Sequence, residues 1–322
     1  VSTALVTGAG GFIGGHLVGK LLRDGYSVTA IDRKDPSRWH QFHTGAVNVP
    51  WTRVRDLVPP SMIGGADEVY HLAADMGGIG YITDHLVSCS SNIIDTIHLL
   101  DLCEPGQRVF FASSACVYPV PLQGRSDVRS LREFDVFPAD PEPGYGWEKL
   151  YGEQVMRWHR EERGVETRMA RYHNVYGPQG SWDDGREKAP AALCRKVAVA
   201  AITGEHEIEI WGDGEQTRSF MFIDDCVEGT LRITRSDYAQ PLNLGSDRFV
   251  TVNTLVDTVE KIAGVQLRRV HLRDKPQGVR GRNSDNTLIK KELGWAPSVA
   301  LEYGMELTYA WIYDQIKESL HV

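Results

Sequence analysis

The sequence is poor in the features that build a disulfide framework, a metal centre, a membrane span or a nucleic-acid surface. It carries only five cysteines among 322 residues, at positions 89, 103, 116, 194 and 226. The number is odd and no CxxC pair occurs, which argues against disulfides and structural zinc. Nothing in the sequence resembles a metal site. Reduced thiols fit the cytoplasm. No apolar run approaches the ~20 residues of a membrane-spanning helix, and the chain enters Thr3-Ala4-Leu5-Val6-Thr7 without a signal-peptide pattern. These absences lead us to expect a cytoplasmic protein without membrane association. Positive charge is also in deficit: the formal net charge is -8, which disfavours a broad nucleic-acid surface. Internal repeats and low-complexity segments are lacking too.

What remains is an ordinary globular composition, 42% hydrophobic and 24% charged, sufficient for one large core or two. The first half alternates short β-rich runs with helical patterns. Strands are expected at Ala4-Leu5-Val6, Ser27 to Ile31, Glu68 to Leu72, Arg108 to Ala112 and Thr167 to Arg171. Helices are expected at Phe12 to Leu22, Ser91 to Leu102 and Tyr145 to about Arg163. Repeated βα units of this length predict a parallel sheet covered on both faces. The second half is more mixed and is punctuated at Gly177-Pro178, Lys188-Ala189-Pro190 and Gly212-Asp213-Gly214. The expected fold is therefore α/β: a Rossmann-type doubly wound parallel sheet with a smaller C-terminal substrate-binding lobe. We expect residues 1–175 to form the dinucleotide-binding domain and 176–322 mainly the second lobe, with the chain crossing between them.

Thr7-Gly8-Ala9-Gly10-Gly11-Phe12-Ile13-Gly14 lies between the first strand and the first helix. Glycines at 8, 11 and 14 allow a tight turn, close approach of a pyrophosphate to backbone N–H groups, and packing of helix on strand. The backbone of Phe12 and Ile13 opens the helix at that site. An acidic residue, Asp32, ends the second strand, where it accepts hydrogen bonds from ribose hydroxyls and repels a 2′-phosphate. NAD is thus favoured over NADP, although Arg33 and Lys34 could hold a phosphate. The Asp56-Leu57 pair could bracket the adenine edge, or could simply start a solvated helix.

Tyr145-Gly146-Trp147-Glu148-Lys149 opens a helix and puts Tyr145 and Lys149 on one face. A lysine beside a phenol favours the phenolate and can hold a nicotinamide ribose. Such a tyrosine can take a proton from a sugar hydroxyl while hydride leaves the same carbon. Alone, the YxxxK spacing reads as a surface pair; after the glycine turn, and beside Ser113-Ser114-Ala115-Cys116, it reads as chemistry.

With these residues in place the chain resembles the nucleotide-sugar branch of the extended short-chain dehydrogenase/reductases, and within it the family of GDP-mannose 3,5-epimerases. The specific segments are Ala74-Asp75-Met76-Gly77-Gly78, Ser113 to Cys116, Gly185-Arg186-Glu187-Lys188-Ala189-Pro190-Ala191-Ala192, Trp211 to Phe220 and Gly278 to Asn286. The resemblance runs through nearly the whole chain. It implies bound NAD, a GDP-hexose substrate and a homodimer through the helices at Ser91–Leu102 and Gly146–Arg163.

Related 4-epimerases tend to carry threonine where this chain has Cys116, and dehydratases an Asp-Glu pair nearby. Oxidation of a hexose at C4 makes the hydrogens on C3 and C5 abstractable. The resemblance assigns Tyr145, Lys149 and Ser114 to the C4 step, Cys116 to proton abstraction and Lys188 to proton return. A thiolate suits the first role if positive charge lowers its pKa. Further implied substrate contacts are Gly77, Asn174, Lys196, Gln216, Arg218 and Arg282, with Arg282 on the diphosphate; Arg280 is another candidate cation. Buried-thiol, phosphate-ligand and solvated-charge readings remain open for Cys116, Lys188 and the arginines respectively. Asp224-Asp225 reads as a helix cap and His173 as structural. The alternative activities are a nucleotide-sugar 4-epimerase or 4,6-dehydratase, or a catalytically silent NAD-binding sensor.

Overall fold

The computed structural model describes residues 1–56, 61–275 and 277–320. Leu57 lies outside them.

Six strands of the first half are β1 (Thr3–Thr7), β2 (Ser27–Ile31), β3 (Val47–Val49), β4 (Glu68–His71), β5 (Arg108–Ser114) and β6 (Glu166–Tyr172). With a seventh strand, Leu242–Leu244, they form one parallel sheet in the order Leu242–Leu244, β6, β5, β4, β1, β2, β3. That order is the doubly wound, Rossmann-type arrangement. Its direction of winding reverses beside β1, so a crevice opens at the carboxyl ends of β1 and β4. Leu5, Val6, Val69, Tyr70, Val109 and Phe110 are fully buried. Burial on both faces explains why these strands are continuously apolar rather than alternating.

Two apolar layers clamp the sheet. Leu5, Val69, Val109 and Phe111 pack with Leu99, Leu100 and Met156 from helices Asn92–Asp101 and Tyr145–Arg163. On the other face, Val6 and Tyr70 join a larger core that continues through Leu193 and Val197 to Ile312 in the second half. Helix Tyr145–Arg163 stops at Gly164, whose φ of +70° supplies the left-handed cap.

The second half builds small sheets. Thr217–Ser219 pairs antiparallel with Phe249–Thr251 and parallel with Gly281–Arg282; Glu207–Trp211 pairs with Arg268–Leu272. Among the described residues no helix is long and apolar enough to cross a membrane.

The expected elements are present with local differences. β5 runs on to Ser114, because Ser114 still pairs with Tyr172. The expected Ser91–Leu102 helix is present as Asn92–Asp101, and a separate short helix, Leu86–Ser90, precedes it. Asp225 does not cap its own helix, which starts after Phe222 without a side-chain cap. Its carboxylate instead accepts the backbone N–H groups of Ser298 and Val299, at 2.9 and 2.7 Å. His173 is fully buried and bonded to Asn243.

Candidate active site

Just after β1, Gly8 adopts a φ of +72°, and a Cβ there would collide with the backbone of Ala73, two residues past the end of β4. A Cβ at Gly14 would collide with the Gly8 carbonyl, so only glycine lets the first helix begin so close to the strand. That helix, Phe12–Arg23, has no side-chain cap at Gly11. Its first N–H groups thus face the crevice as an anion site. Asp32 accepts N–H groups from Gly10 at 3.0 Å and Lys34 at 2.9 Å, which fixes its carboxylate beside the turn. The cradle fits a dinucleotide. Asp56 is exposed in a short turn, Val54–Asp56, and no side-chain hydrogen bond ties it to this cradle among the described residues.

The end of β5 delivers Ser114. Its hydroxyl accepts the Cys116 backbone N–H at 3.1 Å and caps the turn Ala115–Val117. Gly146, in the first turn of the next helix, packs against the Cys116 carbonyl, where a side chain would not fit. Tyr145 and Cys116 therefore share one buried cluster. Burial, with the Cys116 and Glu148 charges, pushes the Tyr145 phenol well above its ordinary pKa, while a hydrogen bond from Ser114 opposes the rise. The Lys149 ammonium lies 5.6 Å from the Tyr145 ring centroid and 4.6 Å from that of Phe111. It is 3.6 Å from Glu148, whose carboxylate is itself buried.

Cys116 faces charges of both signs. Arg282 donates to its sulfur at 3.5 Å, to Gln123 at 2.5 Å and to Glu142 at 2.5 Å. Burial raises the thiol pKa most, Glu142 raises it further, and Arg282 lowers it. Arg282 supplies the positive charge on which a thiolate depends, but desolvation of the buried sulfur is the larger effect. Lys188 sits at the head of helix Ala189–Thr203 and feels the Cys116 charge; burial lowers its pKa. Both groups are shifted toward their neutral forms.

The second half contributes the remaining groups. Arg218 is largely buried and, among the described residues, donates only to the carbonyls of Thr217, Gln277 and Val279. No carboxylate pairs with it among the described residues, and burial with the nearby Arg282 charge lowers its pKa to about 10. Arg280, by contrast, is paired with Asp213 through two bonds. Gln216 is buried with Oε1 unpartnered among the described residues. Asn174, at a φ of +43°, donates to the Ser219 carbonyl. Lys196 donates to the Glu209 carbonyl at 2.7 Å, and among the described residues no hydrogen bond joins it to Tyr145 or Cys116. Gly77 lies against the ring of Tyr81, and the Gly78 N–H donates to the Arg186 carbonyl at 3.2 Å. This bond ties the loop after β4 to the segment that carries Lys188.

Sequence reasoning missed Glu142, Gln123 and the Asp75–Arg186 pair. Glu142 was visible only as part of the proline-flanked approach to Tyr145. Gln123 and Arg282 are 159 positions apart, a separation that carries no local pattern. Among the described residues no group of three or more His, Cys, Asp or Glu side chains could hold a metal ion.

Comparison with known proteins agrees with the fold. The NAD dependent epimerase/dehydratase family matches residues 4–245. A GDP-mannose 3,5-epimerase 1 of Oryza sativa subsp. japonica is 44% identical over 98% of this chain and 82% of its own length. Among solved structures, UDP-glucose 4-epimerase of Thermotoga maritima, with UDP-glucose, is 26% identical with a TM-score of 0.84, covering 98% of this chain and 99% of that one. UDP-glucuronic acid 4-epimerase of Bacillus cereus, in complex with UDP-glucuronic acid and NAD, is 25% identical with a TM-score of 0.79, covering 97% and 99%.

Proposed function

The chain belongs to the NAD dependent epimerase/dehydratase family, and from that premise we propose that it epimerises GDP-D-mannose at C3 and C5. The product is GDP-L-galactose, or GDP-L-gulose when only C5 inverts. The observation that carries this reading is the gathering of Ser114, Cys116 and Tyr145 at one strand end, with Lys188, whose pKa burial lowers, at the head of the helix Ala189–Thr203. The likeness to the rice enzyme across 98% of the chain supports the same substrate.

NAD, held by the Gly8–Gly14 turn, Asp32 and Lys149, would supply a hydride acceptor at C4 and return that hydride each turnover. Tyr145 takes the C4 hydroxyl proton, and Ser114 holds the C4 oxygen. Both then donate to that oxygen as negative charge develops on it. Cys116, as thiolate, takes the proton from C5 or C3. Lys188 returns one to the opposite face. Tyr145 finally reprotonates the C4 oxygen, so no net redox occurs. Arg218 and Arg282 are the guanidinium groups for the diphosphate. Gly77, Asn174, Lys196 and Gln216 complete the nucleotide-sugar contacts, and Asp56 the adenine side. In this reading residues 1–175 hold NAD and 176–322 mainly hold the sugar nucleotide.

The protein works in the cytoplasm as a homodimer. Five unbridged thiols support the compartment. The outer face of the helices Asn92–Asp101 and Tyr145–Arg163 leaves Ile94, Trp147, Tyr151 and Trp158 exposed, which supports the dimer contact there. Light scattering across a dilution series tests the dimer; a monomer at all concentrations would reject it.

The activity is tested by incubating the protein with GDP-mannose in heavy water and reading deuterium at each sugar carbon by NMR. Label at C3 and C5 is expected. Label at neither carbon rejects the reading, and label at C5 with loss of the C6 hydroxyl identifies a dehydratase.

A further inference from the structure

Residues 177–188 run from the second half across the mouth of the crevice, and they are fastened at both ends. At one end His16 bonds to the Pro178 carbonyl at 3.0 Å, and Gly180 lies against the Phe12 ring. At the other end Arg186 is held three ways. Its backbone carbonyl accepts the Gly78 N–H at 3.2 Å. Its guanidinium donates to Asp75 at 3.4 Å and to the Tyr81 hydroxyl at 2.9 Å. It also stacks over the Tyr81 ring, 4.1 Å from the centroid. Asp75 is the hub: it is largely buried, and it also accepts Tyr81 at 2.9 Å, Ser88 at 2.7 Å and Arg33 at 3.3 Å. Neither Asp75 nor Arg186 bonds to Tyr145, Ser114 or Cys116 among the described residues.

Lys188 follows Arg186 by two positions and starts the helix Ala189–Thr203. The stretch between them has no regular secondary structure of its own. Its placement therefore depends on its anchors. We propose that Asp75 and Arg186 are positioning residues: their latch across the crevice sets the Lys188 ammonium on the face of the sugar opposite Cys116. The inference rests on the proton-return role given above to Lys188.

The step at stake balances simply. The Cys116 sulfur takes a hydrogen from carbon as a proton, and the electron pair moves to the C4 oxygen. Lys188 then gives an N–H proton to the opposite face of that carbon, and the pair returns to form the new C–H bond. If Lys188 is displaced while Cys116 stays, the carbon is reprotonated from the Cys116 side. After the thiol has exchanged its hydrogen with heavy water, this gives deuterium without inversion.

Asp75→Asn and Arg186→Gln test the latch, with GDP-mannose in heavy water as the probe. In each, inversion should fall about 100-fold, the loss expected from a displacement of roughly 1 Å. The substrate-driven rise in reduced-nicotinamide absorbance should persist, because Tyr145 and Ser114 are untouched. Label in uninverted substrate, relative to label in epimerised product, should rise about tenfold. The double variant should be no worse than either single one. Unchanged inversion overturns the proposal. So does loss of inversion together with the absorbance rise, since that outcome makes the latch a general support of the fold. If the unsubstituted protein places no deuterium in the sugar, the proposed function itself fails and the latch proposal with it.

Discussion

Arg282 donates to the sulfur of Cys116 at 3.5 Å, joining two residues 166 positions apart in the chain. The same guanidinium holds Glu142. The sulfur thus lies between a cation that favours its thiolate and a carboxylate that opposes it, inside a site where burial opposes it most.

The pH profile should expose this balance. Proton abstraction needs the thiolate, so solvent exchange at C5 should rise with pH along a limb set by Cys116. Glu142→Gln removes the opposing charge and should move that limb to lower pH. Arg282→Gln removes the favouring charge and should move it to higher pH. Exchange rates across pH check both signs; shifts in the same direction would reject the arrangement.

Cys116→Ala and Lys188→Ala should each lower C3 and C5 inversion by about 100- to 10,000-fold, the usual worth of a positioned acid or base. Both should still show the substrate-driven absorbance of reduced nicotinamide, because the C4 step uses Tyr145. Stopped-flow absorbance alongside NMR separates the two steps.

Arg218 and Arg280 should behave differently. Arg218 is buried without a carboxylate partner among the described residues, so Arg218→Ala should weaken GDP-sugar binding by about 10- to 100-fold, the worth of a charged hydrogen-bonding group. Arg280 already has its counter-ion in Asp213, and Arg280→Gln should leave affinity within about threefold, as for a surface pair. Calorimetric titration with GDP measures both.

Acid should destabilise the fold through two histidines. Burial lowers His71 and His173 from 6.5 to about 3. Below 6.5 the unfolded chain takes up protons that the native chain refuses, so stability present at neutral pH is lost as pH falls toward 3. Each should cost about 1.4 kcal/mol per pH unit in that window. Urea midpoints at several pH values measure the slope, and His71→Asn should reduce it.

Gly14→Ala should release the cofactor site. The added methyl meets the Gly8 carbonyl, so the turn must open and NAD recovered with the purified protein should fall. Extraction and absorbance of bound nucleotide check this; full retention would reject the tight packing of helix on strand.

Local chemistry was sufficient to read the repeated strands and helices, the glycine turn with Asp32, and the placing of Tyr145 and Lys149 on one helix. Each follows from short-range spacing: apolar runs that must be buried, glycines where no Cβ fits, and two side chains one helical turn apart. The sheet's parallel character followed from the alternation, because parallel strands need a crossover between them. Only the tertiary structure decided what surrounds Cys116. Glu142, Gln123 and Arg282 come from three separate segments, and whether burial or charge governs the thiol depends on how deeply those segments enclose it. The same holds for Arg218 and Arg280, two cations alike in sequence, one left without a counter-ion among the described residues and one paired. It holds again for Asp75 and Arg186, which meet across 111 positions. A side chain's type sets what it can do; the dielectric and the partners that fix its proton are supplied by chain folded back from far away.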